Sequence, residues 1–244
     1  MLSIFKNKPT LRELIPNDFV DIHSHMLPGI DDGAKEINDT KNLFEAVKQI
    51  GFKKIITTPH TMTSVWENTT ESITDAYNLV KSSFPNYVVD LNLGYASEYF
   101  LDENLIKLAN QNKLLTLKSN FVLIELSFIS PPIQLYDYLF DLQLKGYKLV
   151  LAHPERYLYL HNKKEEFKRL KKAGCQFQLN LLATVGYYGR EVQEITDYLL
   201  KNEMYDFVGS DIHNMKHVAA FGNKIGCKQK NNLEKVIEQN QVFL

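Results

Sequence analysis

The chain has 244 residues, 28 Lys and Arg against 29 Asp and Glu, and a hydrophobic fraction of 44%. That length and apolar content support one sizeable core, so a single domain is expected over residues 18–244 after a short arm at residues 1–17. A net charge of -1 with scattered basic residues excludes the electrostatic footprint of a nucleic-acid or anionic-membrane binder.

Residues 1–16 carry lysines and an arginine but lack the uninterrupted apolar core of a secretory signal. No later segment approaches membrane-spanning length, so a cytoplasmic protein without membrane insertion is expected. Only Cys175 and Cys227 occur, which suits a reducing compartment and leaves any metal to nitrogen and oxygen ligands.

Short β-rich runs then alternate with stretches of helical period. FVDIHSH is followed by TKNLFEAVKQI, KKIITTPH by TTESITDAYNLVKSSF, and YVVDLNLGYASEYF by ENLIKLANQ. FVLIELS precedes a helix over residues 133–145, KLVLAHPE one over 163–173, and CQFQLNLL one over 191–202; DFVGSDIH closes the series. About seven βα units fit. Strands apolar on both faces belong in a parallel sheet covered by helices, and right-handed crossovers admit either a closed barrel or an open doubly wound sheet.

The polar residues concentrate where strands end. His23 and His25 end the first run, His60 ends IITTPH, Glu98 ends LNLGYASE, Glu125 lies in VLIELS, His153 follows KLVLA, and Asp211 and His213 follow DFVG. In parallel α/β folds these C-terminal ends form one functional face, so positions far apart in sequence converge. Residues two apart in a strand point to the same side, so His23-x-His25 and Asp211-x-His213 each present two ligands together. Five of the seven histidines fall on this pattern, which solvated histidines would not. His161 reads as an exposed histidine, and His217 is left unassigned.

Glu98 and Glu125 at the ends of buried strands need cations to offset desolvation, and two or three divalent ions would provide them. A water shared between two such ions loses a proton near neutral pH and becomes a nucleophile, so hydrolysis is the expected reaction. Arg156, just beyond His153, has the fork that suits a phosphate; its bland alternative is a surface salt bridge with Glu155 or Glu166. Neither cysteine is followed six residues later by the arginine of a thiolate phosphatase, since Leu181 and Leu233 stand there. The aromatic-rich residues 121–141 read as a core strand and amphipathic helix before they read as walls for a substrate ring.

In order, HSHMLPGIDDGA, TPH, the SE of GYASEYF, IEL, LAHPERY and GSDIHN resemble the motifs of the polymerase and histidinol phosphatase (PHP) superfamily. Within it the sequence looks most like the manganese-dependent bacterial protein-tyrosine phosphatases of capsule and exopolysaccharide clusters. The resemblance implies an α/β fold, a distorted TIM-like barrel of seven βα units, with the metal cluster at the C-terminal strand ends. It implies the ligands His23, His25, Asp32 in preference to Asp31, His60, Glu98, Glu125, His153, Asp211 and His213. Asp31 would then cap the following turn or helix. It further implies manganese, with iron or zinc as alternatives, and a phosphotyrosine protein as partner, a tyrosine kinase of polysaccharide biosynthesis.

The chain departs from that branch after GSDIHN, where relatives carry a second arginine and Lys216, His217 and Val218 stand here. Lys216 is the candidate to replace it, as a point charge rather than a fork. TMTSVWENT, after TPH, also differs. The alternatives carried forward are a phosphatase of small molecules, such as histidinol phosphate or a sugar phosphate, and a non-catalytic docking module.

Overall fold

The structure, a computed structural model, describes residues 8–244. The expected arm at residues 1–17 therefore lies in part outside the described residues. Its remainder packs on the body: a Thr10 capping box opens helix Leu11–Leu14, Leu11 is buried, and Thr10 bridges Lys224.

Among the described residues nine short strands follow: β1 (Phe19–Asp21), β2 (Phe52–Thr57), β3 (His60–Thr61), β4 (Gly94–Tyr95), β5 (Glu98–Phe100), β6 (Phe121–Glu125), β7 (Lys148–Ala152), β8 (Gln176–Asn180) and β9 (Phe207–Gly209). All pair in parallel, in the orders β1-β2-β4 and β3-β5-β6-β7-β8-β9. β3 continues β2 beyond Pro59, and β5 continues β4 beyond Ser97, so the two sheets make seven staves. Pro59 has no N–H for a ladder, which interrupts its stave. Ala96 N–H to Thr57 O (2.9 Å) and Glu98 N–H to Pro59 O (3.1 Å) carry the pairing across the break.

The seventh stave returns to the first through a parallel bridge, Ser24 to Ile212. Asp211 N–H donates to His23 O at 2.8 Å and His25 N–H to Ile212 O at 2.9 Å. Below that point side chains replace the ladder. The Asp21 carboxylate accepts from Ser210 N–H at 2.8 Å and from its hydroxyl at 2.6 Å. Asn240 donates to Val20 O and Val208 O and accepts from Val208 N–H. The fold is α/β, a distorted (β/α)7 barrel closed partly by side chains.

Alternation along the strands divides the core in two. Val20, Ile22, Ile56, Leu123, Val150, Ala152 and Phe207 fill the interior, where Phe243 packs edge-on against Phe121 and Phe207. Val122, Ile124, Leu149, Leu151, Phe177, Leu179 and Val208 face outward to the helices. The longer outer helices bury one stripe each, such as Leu43, Phe44 and Val47 in Ile37–Ile50, and Val192, Ile195 and Leu199 in Arg190–Lys201.

One element differs from expectation. Residues 87–90, expected to start a strand, lie in helix Pro85–Asp90. Pro85 at its first position needs no hydrogen bond and has its φ preset for a helix, which outweighs the β propensity of Tyr87, Val88 and Val89.

Candidate metal centre

The C-terminal ends of the staves converge on one cavity of about 280 Å³, lined by Asp32, His60, Glu125, Phe128, His153, Arg156, Tyr188, Asp211, His213, Asn214 and His217. His23 and His25 lie beneath it with their Nε2 atoms 3.2 Å apart. Both rings are fixed through the other nitrogen: His23 Nδ1–H donates to Gln178 Oε1 and His25 Nδ1–H to Asp31 Oδ2, each at 2.7 Å. That fixes the tautomer which leaves Nε2 free to ligate.

The carboxylates face those nitrogens. Glu98 Oε2 lies 3.1 Å from His23 Nε2, 3.4 Å from His25 Nε2 and 3.1 Å from His60 Nδ1. Its other oxygen lies 3.1 Å from His153 Nε2. Glu125 Oε1 is 3.2 Å from His60 Nδ1, and Asp211 Oδ1 is 3.3 Å from His23 Nε2. At the outer edge Asp32 Oδ1 stands 3.2 Å from His213 Nε2 and 3.6 Å from His60 Nε2.

Four overlapping sets of these atoms, each within 4.8 Å, could hold an ion: His25, Asp32, His60, His213; His23, Glu98, His153; His23, His25, Asp211; and His60, Glu98, Glu125. Glu98 Oε2 is buried with three imidazole nitrogens near it, yet no donor is aligned on it. An acceptor so placed fits a cation, and His with carboxylate donors fits manganese, iron or zinc. Burial opposes the charging of His23, yet Glu98 and Asp211 outweigh it and raise that imidazole to about 9. Burial likewise opposes ionisation of Glu98 and Asp211, but the histidines hold both well below the usual carboxylate range. Metal uptake must therefore displace protons.

Local backbone aims these groups. His153 and Asp211 adopt left-handed conformations, with φ 35° and 50°, at the ends of β7 and β9. Such residues cost about 1–3 kcal/mol each, which the surrounding packing must offset. Gly33 is needed for close approach, since a Cβ there would meet His25 O at 2.0 Å. The loop can thereby fold back and bring Asp31 under His25 while Asp32 reaches over it.

All nine expected ligands are thus brought together, with Asp32 rather than Asp31 facing the cavity. Asp31 does cap its turn, accepting from Gly33 N–H at 2.9 Å, but it also orients His25, which sequence reasoning missed. Arg156 reaches the cavity, and its Nη1 donates to Asp211 Oδ2 at 2.9 Å. It makes neither suspected surface pair: Glu155 turns inward to Asn180 N–H and Tyr205, and Glu166 pairs with Arg169.

Lys216 is not brought in. It lies exposed in the first turn of helix Met215–Ala220, whereas the next residue, His217, lines the cavity. His217 Nδ1 lies 3.0 Å from Asp211 O and 3.2 Å from the His213 amide. His161 is half-buried rather than exposed, its Nε2 2.8 Å from Glu155 O. Within residues 121–141, residues 122–126 with Leu135 and Leu139 are buried, as a core strand and the inner stripe of a helix, but Phe128, Ile129, Ile133 and Phe140 are exposed, and Phe128 lines the cavity. Sequence reading also missed Gln178, Asn180 and Tyr188. Asn180 ends β8 and Gln178 lies two residues before it on the same face, and a polar residue closing the strand was the available signal for Asn180.

Comparison with known proteins follows the same outline. The family description "Capsular polysaccharide synthesis, CpsB/CapC" matches residues 19–238. The tyrosine-protein phosphatase YwqE of Bacillus subtilis is 30% identical over 205 residues, covering 81% of this chain and 78% of its own. The tyrosine-protein phosphatase CpsB of Streptococcus pneumoniae is 27% identical over 202 residues, covering 80% and 83%. A crystal structure from work on YwqE and CpsB, described as metal-dependent tyrosine phosphatases, superposes with TM-score 0.80 at 27% identity, over 92% of this chain and 94% of that one.

Proposed function

Since the chain belongs to the CpsB/CapC family of capsular polysaccharide synthesis, we propose that it is a metal-dependent protein-tyrosine phosphatase. In this reading residues 18–244 act as one catalytic domain, and the substrate is the phosphorylated tail of a tyrosine kinase that controls polysaccharide assembly. The observation that carries it is the nitrogen and oxygen cluster with Arg156 on the rim of one cavity.

His23, His25, Asp32, His60, Glu98, Glu125, His153, Asp211 and His213 would hold two or three divalent ions, manganese above iron or zinc. When bound, those ions supply the charge that lowers the pKa of water and neutralises a phosphate. The protein's own groups do the rest. Asp31 and Gln178 hold the two inner imidazoles in the ligating tautomer. Arg156 offers its remaining N–H groups to the non-bridging oxygens of the ester and to the charge that grows on them in the transferring phosphoryl group. Phe128 and Tyr188 give the cavity aromatic walls.

A cysteine mechanism has no candidate. Cys175 and Cys227 are buried, and burial pushes each thiol up to about 12. No helix among the described residues is long and apolar enough to cross a membrane, and we place the protein in the cytoplasm beside its kinase.

The test is steady-state hydrolysis of a phosphotyrosine peptide and of histidinol phosphate with added manganese. Efficient peptide turnover, lost on chelation and in His25→Ala with the fold intact, is expected. Efficient turnover of histidinol phosphate alone would assign a small-molecule phosphatase, and no turnover with any divalent ion would leave a docking module.

A further inference from the structure

Arg156 is held between two rings. Its guanidinium carbon lies 4.8 Å from the ring centre of Phe128 and 4.4 Å from that of Tyr188. Phe128 comes from the segment after β6 and stacks on His153, with centroids 5.7 Å apart and planes inclined by 19°. Tyr188 comes from the segment before helix Arg190–Lys201, and its hydroxyl accepts from Asn180 Nδ2 at 2.9 Å. The same Nδ2 lies 2.7 Å from Asp211 Oδ2, the atom that Arg156 Nη1 reaches. Among the described residues the guanidinium forms no other hydrogen bond within the protein, so most of its five N–H donors stay uncommitted.

An arginine beside a buried carboxylate has an obvious alternative. It can turn both arms of its fork onto Asp211 as a bidentate pair, which would withdraw it from any substrate. Two features oppose that here. Asn180 already occupies Asp211 Oδ2 alongside Nη1. The faces of Phe128 and Tyr188, 4.8 and 4.4 Å from the guanidinium carbon, attract the cation and favour this placement over a turn onto Asp211.

We propose that Phe128 and Tyr188 are positioning residues that bracket Arg156, keeping its fork off Asp211 and available to the phosphate of the substrate. This rests on the reading of the site as a phosphate-ester hydrolase. On this geometry a lysine in place of Arg156 should lose more than the bidentate contact, because an ammonium cannot lie flat against a ring.

The test is a double-mutant cycle on the manganese-loaded protein. It takes the pair Phe128→Leu with Tyr188→Leu, the single change Arg156→Ala, and all three together. The readouts are kcat/KM on p-nitrophenyl phosphate and the affinity for inorganic phosphate by calorimetry. Removing the bracket is expected to lower both by about 10- to 100-fold, the range that loose placement of a substrate-binding group produces. In the Arg156→Ala background the same removal should add less than about twofold, because the rings act through the arginine. Tyr188→Phe, which keeps the ring, should restore most of the phosphate affinity that Tyr188→Leu loses.

Additive losses across the cycle, or unchanged phosphate affinity without the rings, would overturn the bracket. Phe128 is 46% exposed, so Phe128→Leu alone serves if the pair does not fold. Should the wild-type protein turn over no ester at all, the reading of the site fails separately, and the phosphate-binding arm still decides the bracket.

Discussion

Replacing Asp31 by Asn tests the division of labour between the two adjacent aspartates. Both oxygens of Asp31 accept: Oδ2 from His25 Nδ1–H at 2.7 Å and from His60 N–H at 3.2 Å, and Oδ1 from Gly33 N–H at 2.9 Å. An asparagine has one acceptor and one donor end, so its amide NH2 must face an N–H whichever way it turns. If it faces Gly33, a buried donor loses its partner, at about 1–3 kcal/mol. If it faces His25, that ring is driven to the other tautomer, its Nε2 carries the proton, and it cannot ligate.

Loss of an orienting partner of this kind lowers metal affinity by about 10- to 100-fold, or about 1.4–2.7 kcal/mol. Calorimetric titration of the metal-free protein with manganese should show one class of site weakened by that factor. Turnover of p-nitrophenyl phosphate should recover most of its wild-type kcat at saturating metal. Wild-type affinity in Asp31→Asn, with the loss falling on Asp32→Ala alone, would refute the assignment of Asp31 to His25. Lost kcat that excess metal does not restore would refute it too.

Four further outcomes are expected. Asp32→Ala should weaken metal binding at the outer edge, next to His60 and His213, and raise the manganese concentration for half-maximal activity by at least about tenfold. Lys216→Ala should change kcat/KM less than about twofold, because the side chain is exposed outside the cavity, against a loss of about 100-fold or more for Arg156→Ala. Iodoacetamide should leave activity intact while a chelator abolishes it, since both thiols are buried and held near 12. Glu155→Gln should flatten the pH dependence of unfolding: burial raises this carboxyl from 4.5 to about 7, so its contribution is full below pH about 4.5 and is lost as pH rises through about 7. That loss is about 3 kcal/mol, and an equally steep decline in the variant, by urea titration from pH 5 to 8, would contradict it.

The ligands were legible because a parallel barrel collects strand ends, so each His, Asp or Glu closing an apolar run already had a place. The seven-stave ring was legible as a count of units but not as a closure. Between the first and last staves the joining groups include Asp21 with Ser210, and Asn240 with Val20 and Val208. Side-chain bonds between positions that far apart leave no periodic trace. The same holds for helix Pro85–Asp90, where one proline outweighed three β-formers.

What the sequence hid at the site is the layer behind the ligands. Asp31, Gln178 and Asn180 each bond a group that faces the cluster or its arginine, and each could equally have been a turn or strand-end residue. Phe128 falls in residues 121–141, whose sequence suggests a core strand and an amphipathic helix, and nothing in the sequence singles out Tyr188 between Gly186 and Gly189. Chemistry is encoded by residue type at the strand ends, whereas orientation is encoded by contacts across staves. Of the two charges put forward for the phosphate, Arg156 and Lys216, sequence type ranked both as plausible cations. Only the three-dimensional neighbourhood separates them: Arg156 has two rings and a carboxylate holding it at the rim, and Lys216 lies exposed outside the cavity.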